Sequence, residues 1–159
     1  MKKTLMIKVN VLVSNKSWKK ILGNPEVYLK RKINLLNKRD IFFKKKINFS
    51  LLLSDNSEIK KINKKFRKKN KITDVLSFPF YEKKELKKLL KKNREFYLGD
   101  IIINLDKIID KSNNKEKTKD QLDKLWIHGL THLLGYRHKL NKDYIKMKKI
   151  EKKFYNSVN

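Results

Sequence analysis

The chain has 159 residues, and its 43 Lys and Arg residues against 16 Asp and Glu residues give a formal net charge of +27. This length suits one domain over residues 1–159. Because the chain has no cysteine, a disulfide framework, thiol catalysis and a cysteine-type zinc site are excluded. Any metal site must therefore use His, Asp or Glu.

The excess of positive charge has two explanations, and the sequence leaves both open. Clustered cations bind the phosphates of nucleic acids. Only five of the 43 cations are arginine, however, and the chain contains no alanine. That composition is typical of AT-rich coding, which raises the lysine content of exposed positions without a functional cause. Charge alone therefore indicates only a basic domain.

A membrane location is not expected from this sequence. No apolar stretch approaches the roughly 20 residues that span a bilayer. The basic start at residues 1–3 is followed by apolar residues, but no small-residue cleavage site of a signal peptide follows. We therefore expect a cytoplasmic protein that makes no contact with a membrane.

Alternating apolar residues predict strands, and apolar residues at helical spacing predict helices. Capping signals at Ser17, Asn24-Pro25, Asp55 and Asn141 mark helix starts. In the first half of the chain we expect a strand over 7–13, a helix over 17–22, a helix from Pro25, a strand from Ile47 to Leu53 and a helix over 55–67, whose apolar stripe is Ile59, Ile62 and Phe66. A strand over 73–78, a short helix within 82–95 and a strand over 97–104 follow. The chain then continues with one or two helical turns over 105–109, which the polar residues 112–114 end, a helix over 116–134 and a last helix from Asn141. This order predicts an α+β fold in which about five helices pack on a mixed four-stranded sheet.

All three histidines of the chain lie within eleven consecutive residues. His128 and His132 are four residues apart on a predicted helix, so both imidazoles lie on one face. Gly135 suits the left-handed position that ends a helix, and the reversed chain can return His138 towards the other two. Three imidazoles with one open position are typical of catalytic zinc, which predicts one zinc ion per chain. The alternative is three incidental histidines that border the core.

The same spacing matches the long signature of zinc peptidases, with one difference that matters. In that signature a glutamate follows the first histidine and acts as the general base. Here the position holds Gly129, so a peptidase would need its base from elsewhere. A peptidase is therefore the less favoured interpretation.

These residues give the chain a resemblance to a known family. The segment over 128–138 closely resembles the YbeY family of endoribonucleases and rRNA maturation factors. The agreement extends over nearly the whole chain, and further similar segments are 63–67, 73–79, 98–102 and the late Met147 and Glu151. The resemblance implies a metal-dependent endoribonuclease that acts on single-stranded RNA, in maturation of the 3′ end of small-subunit (16S) rRNA and in ribosome quality control.

The resemblance also implies roles for individual residues. The zinc ligands of the family fall on His128, His132 and His138, and its functional arginine falls on Arg67. A guanidinium suits such a role because its planar fork fits phosphate oxygens in a way that lysine cannot copy. The family usually has Asp just before the third histidine, whereas this chain has Arg137.

Some alternatives remain open at this point. Asp74 and Asp100 can accept the second ring N–H of a ligand histidine, or they are ordinary strand-end carboxylates. Phe78, Phe80 and Tyr97 stack on RNA bases or belong to the core. At the level of function, the alternative to the nuclease is a ribosome-assembly factor that binds rRNA without cleaving it and keeps a structural metal; a zinc metallopeptidase is a further alternative.

Overall fold

The computed structural model describes residues 7–39, 46–92, 94–109 and 114–159. Four strands form one sheet, in which β1, β2 and β4 run parallel and β3 runs antiparallel to β4. The strands are β1 (Ile7–Val13), β2 (Ile47–Ser54), β3 (Val75–Pro79) and β4 (Phe96–Asn104), in the spatial order β1-β2-β4-β3. The predicted α+β fold with a mixed four-stranded sheet is confirmed, and β3 is an edge strand.

Seven helices lie in the described ranges, where about five were predicted. They are α1 (Ser17–Leu22), α2 (Pro25–Arg39), α3 (Asn56–Arg67), α4 (Lys83–Leu90), α5 (Leu105–Ile109), α6 (Lys115–Leu133) and α7 (Asn141–Val158). None of these helices combines the length and the apolar character that crossing a bilayer requires. All seven lie where the sequence predicted a helix or helical turns, including the short α1, α4 and α5 of eight residues or fewer, so only the predicted number of about five was too low.

The two faces of the sheet bury different sets of side chains because neighbouring residues of a strand point to opposite sides. Ile101 and Ile103 of β4 belong to the large core, which α2, α6 and α7 cover. Ile102 points the other way and packs with Ile59 of α3 and Leu76 of β3 in a smaller cluster. Helices α3 and α6 therefore lie on opposite faces of the sheet.

A buried polar network holds α6 against α2. The carboxylate of Asp123, which is 1% exposed, accepts hydrogen bonds from the Tyr28 hydroxyl (3.1 Å) and from Nε1 of Trp126 (3.0 Å). Nζ of Lys32 lies 2.9 Å from its second oxygen. Since a buried carboxylate is stable only when it is paired, this network fixes the register of α6 on its neighbours.

Three local predictions differ from the structure in detail. Helix α1 follows Lys16, and the Asn15 side chain accepts from Ser17 N, so Ser17 is not the cap. Asn141 is the first residue of α7 rather than its cap. Phe66 was expected in the apolar stripe of α3, but it is 62% exposed. The last turn of α3 reaches the edge strand, where the Phe66 ring packs edge-on against the Phe78 ring.

Two predictions fall wholly or partly outside the described residues. These are the basic start at residues 1–3 and the helix break at 112–114, of which 112 and 113 are not described. The remaining residue, Asn114, caps α6 by accepting from the backbone N–H groups of Glu116 and Lys117.

Candidate active site

Helix α6 presents two histidines side by side. His128 and His132 are one turn apart and half-buried, and their Nε2 atoms are 3.1 Å apart. The opposite side of the helix is anchored in the core by Trp126, Leu130 and Leu133, which are at most 1% exposed. The packing of α6 therefore fixes the direction in which both imidazoles point.

The turn after α6 returns the third histidine. Gly135 adopts φ 91°, and the N–H groups of Gly135 and Tyr136 bond to the carbonyls of His132 and Thr131. This pair of bonds is the Schellman arrangement, which suits glycine because a left-handed residue with a Cβ is strained. The chain reverses, and the candidate donor atoms of His128, His132 and His138 lie within 4.8 Å of one another. The structure thus brings together the three histidines that the sequence singled out.

Two of the three imidazoles are oriented through their Nδ1 atoms. Nδ1 of His128 lies 2.7 Å from Oε1 of Glu151 on α7, and Nδ1 of His132 lies 3.0 Å from the Tyr136 carbonyl oxygen. Both acceptors require the proton on Nδ1, which leaves the Nε2 lone pairs facing each other. This is the tautomer in which Nε2 can bind a metal ion.

The electrostatic surroundings keep His132 in the neutral form that a metal requires. Burial, together with the nearby imidazole of His128, lowers the pKa of His132 to about 4. His132 is therefore neutral at neutral pH. Burial opposes ionisation of Glu151, but hydrogen bonds from His128 and Lys148 hold its pKa below the ordinary value, so the carboxylate stays charged beside His128.

Arg67 reaches this site from the opposite face of the sheet. Helix α3 ends at Arg67, and Lys68 follows in the left-handed conformation. Nη2 of Arg67 donates to the Ser77 carbonyl (2.8 Å), and its guanidinium lies 5.2 Å from the centre of the Phe78 ring. Because β3 is the edge strand, the Ser77 carbonyl is available to a side chain, and Arg67 passes around this edge.

These groups surround one cavity of about 260 Å³. Its lining residues are Arg67, Val75, Ser77, Pro79, His128, His132, Arg137 and His138. Every charged side chain in this set is positive. A second groove of about 460 Å³ shares His128 and Val75 with the cavity and runs along α6 and α7. The arrangement suits a metal ion and an extended anion that lies across it.

Glu151 is the residue that sequence reasoning missed. It was noted only as part of a family-like ending, whereas Asp74 and Asp100 were considered as partners of the histidines. Asp100 instead accepts from the Tyr97 hydroxyl. A signal for Glu151 was available, because it lies on the same helical face as the buried Met147 and close to Phe154. A carboxylate within an apolar stripe requires a polar partner.

Comparison with known proteins identifies the family. The model of the family described as Endoribonuclease YbeY matches residues 12–159. The chain belongs to the YbeY family. An Endoribonuclease YbeY from Pelagibacter ubique is 40% identical over 96% of this chain and 97% of its own. One from Ehrlichia chaffeensis is 31% identical over 96% and 93% of the two chains.

The fold is also similar to a solved structure. A solution structure from Thermotoga maritima is 24% identical, with a TM-score of 0.55 over 95% of this chain and 89% of that one. At this identity the likeness concerns the fold alone. The family model and the two relatives confirm the resemblance to YbeY proteins inferred from the sequence, and the chain is an endoribonuclease by family.

Proposed function

We propose that this YbeY protein is a zinc-dependent hydrolase that cleaves single-stranded RNA, and that its substrate is the 3′ end of small-subunit (16S) rRNA during ribosome maturation and quality control. The name of its relatives, Endoribonuclease YbeY, supports an RNA substrate. The observation that carries the proposal is the cluster of three imidazoles and the Arg67 guanidinium around one cavity. An rRNA substrate implies a cytoplasmic location.

The donor set fits one zinc ion per chain. Zinc accepts neutral imidazole nitrogens, and three protein ligands with an open fourth position are typical of catalytic rather than structural zinc. With both Nδ1 protons held by acceptors, the Nε2 lone pairs of His128 and His132 face each other at 3.1 Å, and a shared cation relieves their repulsion. When bound, zinc supplies a Lewis acid at which water ionises near neutral pH.

Arg67 binds the phosphate on which negative charge accumulates. A phosphodiester under attack gains charge on its non-bridging oxygens. A guanidinium has five N–H donors, of which the Ser77 carbonyl takes one, so a bidentate pair remains for the phosphate. Because the Ser77 bond and the Phe78 ring already hold the group, little reorganisation is needed as charge develops.

Chelation and zinc reloading test the proposal against its two alternatives. The reloaded protein is incubated with single-stranded RNA, double-stranded RNA and casein. We expect cleavage of single-stranded RNA that disappears with the chelator and returns with zinc. RNA binding without cleavage in either form would favour the assembly factor with a structural metal, and casein hydrolysis would favour the peptidase.

Replacing Arg67 with lysine separates geometry from charge. Arg67→Lys keeps the positive charge and loses the fork, so we expect cleavage to fall by roughly two to three orders of magnitude, as for loss of one preorganised donor. Single-turnover rates on one RNA measure this effect. Lys64→Ala and Lys65→Ala are the controls on the same helix end, and each should change the rate by a small factor. Equal losses in all three variants would assign Arg67 to the general surface charge.

A further inference from the structure

One cation of the cavity has no role in the scheme above. Arg137 lines the cavity with Arg67 and the three histidines. Its side chain is exposed, and within the described parts of the chain it forms no ion pair.

The backbone on both sides of Arg137 is fixed. Tyr136 is held by the turn at the end of α6, and its carbonyl accepts from Nδ1 of His132. His138 follows and faces the other two imidazoles. The starting point of the Arg137 side chain is therefore set by the same contacts that build the site, while its guanidinium stays in solvent at the mouth of the cavity.

Arg67 and Arg137 approach the cavity from different elements. Arg67 comes around the edge strand and is bonded to Ser77, whereas Arg137 comes from the loop between α6 and α7. No carboxylate is found among the residues that line this cavity, which all lie in the described ranges. Each non-bridging oxygen of a phosphodiester has more than one lone pair, so Arg137 can bind the backbone beside the bidentate pair that Arg67 forms.

We propose that Arg137 is a second phosphate-binding arginine, which binds the RNA backbone at the mouth of the cavity before cleavage. The inference rests on the proposed function and adds a substrate-binding residue to it. The exposed guanidinium of Arg137 contributes to the capture of RNA, while the guanidinium of Arg67, which is bonded to the Ser77 carbonyl, contributes to the reaction step. The two arginines therefore differ in which kinetic constant they change.

Steady-state kinetics of the zinc-loaded protein on one single-stranded RNA test this division. Arg137→Ala removes a charge-assisted hydrogen bond to phosphate, so we expect KM to rise roughly tenfold and kcat to change less than about twofold. Arg137→Lys should recover part of the loss, and Arg137→Asp should raise KM further because a carboxylate repels phosphate. Lys139→Ala is the matched control, since it removes one exposed cation two residues away that does not line the cavity.

Binding and metal content distinguish the possible failures. Zinc by elemental analysis should stay near one per chain in every Arg137 variant, and fluorescence anisotropy with the same RNA and with a single-stranded DNA of equal length should show weaker binding. Equal effects of Arg137→Ala and Lys139→Ala, or loss of zinc from Arg137→Ala, would overturn the inference. A parent protein that binds RNA but never cleaves it would instead overturn the proposed function, and the binding comparison would still decide the role of Arg137.

Discussion

At the scale of single residues, the site depends on groups that hold the imidazoles rather than on the imidazoles alone. Glu151 and the Tyr136 carbonyl accept hydrogen bonds from the Nδ1–H groups of His128 and His132. Glu151 comes from α7, and its other oxygen lies 3.1 Å from Nζ of Lys148. The carboxylate fixes the tautomer and the ring direction of His128, and its charge makes the imidazole a stronger donor.

We therefore expect Glu151→Gln to weaken zinc binding by roughly 10- to 100-fold, the usual effect of losing such an outer partner. Competition with a chromophoric chelator measures the zinc dissociation constant without reference to cleavage. Glu26→Gln is the matched control, because Glu26 is an exposed carboxylate paired with Lys30 on α2. Unchanged zinc affinity in Glu151→Gln would show that the hydrogen bond does not orient His128 for a metal ion.

At the scale of elements, the helix and the turn that carry the histidines were predictable because their signals are local. The spacing of His128 and His132, the apolar positions of α6 and the glycine at 135 each act within a few residues. The structure keeps all three features and adds the contacts of the Nδ1 atoms. The pattern around Glu151 predicts a polar partner for its carboxylate, but that this partner is His128, 23 residues away, depends on how α7 packs against α6.

The position of Arg67 beside the histidines was not predictable from local pattern. Arg67 ends α3, which lies on the opposite face of the sheet from α6. Its approach depends on β3 being an edge strand with a free carbonyl at Ser77, and the order of strands is a property of the whole sheet. From the sequence, only the family resemblance distinguished Arg67 from its lysine neighbours.

The requirement for glycine at position 99 also could not be predicted from local pattern. The sequence places it near the start of a strand without a reason for it. In the structure it adopts φ 139°, and a Cβ there would lie 2.1 Å from the Phe78 carbonyl oxygen. Close contact between β4 and β3 therefore requires glycine at this position, and that contact joins residues 21 positions apart in the chain.

Gly129 has a testable role in the contact between α6 and the sheet. A Cβ at this position would lie 2.8 to 3.0 Å from three side-chain atoms of Ile101 on β4. In an exposed helix, alanine is about 1 kcal/mol more favourable than glycine, but here overpacking costs roughly 1–3 kcal/mol. We therefore expect Gly129→Ala to lower the free energy of unfolding, as measured by urea denaturation.

A double variant identifies the cause of that loss. Ile101→Val removes the Cδ1 atom that lies 2.9 Å from the added Cβ, and alone it should cost roughly 0.5–1.5 kcal/mol. Combined with Gly129→Ala, the total loss should be smaller than the sum of the two. If the losses of the two single variants simply add, the destabilisation by Gly129→Ala does not come from its contact with Ile101. Because Gly129 lies against Ile101, this helix position faces the sheet, which agrees with a nuclease rather than a peptidase that needs its base there.

At the scale of the whole molecule, the positive charge is distributed unevenly around the site. The cavity contains only cations among its charged lining residues. The neighbouring groove mixes Lys124, Lys148 and Lys152 with Asp74 and Glu151, and two of its lysines are paired with carboxylates. The cavity is therefore the stronger anion site, and the groove offers a path of lower net charge along α6 and α7.

The dependence of RNA binding on salt decides whether the net charge of +27 has a function. Each phosphate contact releases a condensed counterion, so the logarithm of the binding constant falls linearly with the logarithm of salt concentration, by about 0.7 per contact for single strands. We expect a steep line for a single-stranded RNA, measured by fluorescence anisotropy from low to physiological salt. Arg137→Ala should reduce the slope by about 0.7, since it removes one contact, whereas Lys139→Ala should leave it nearly unchanged.

A flat line for the parent would assign the lysine content to coding bias, because exposed cations that contact phosphates cannot bind RNA without releasing counterions. The metal centre would keep its support in that case, since the three imidazoles and their Nδ1 partners do not depend on the surface charge.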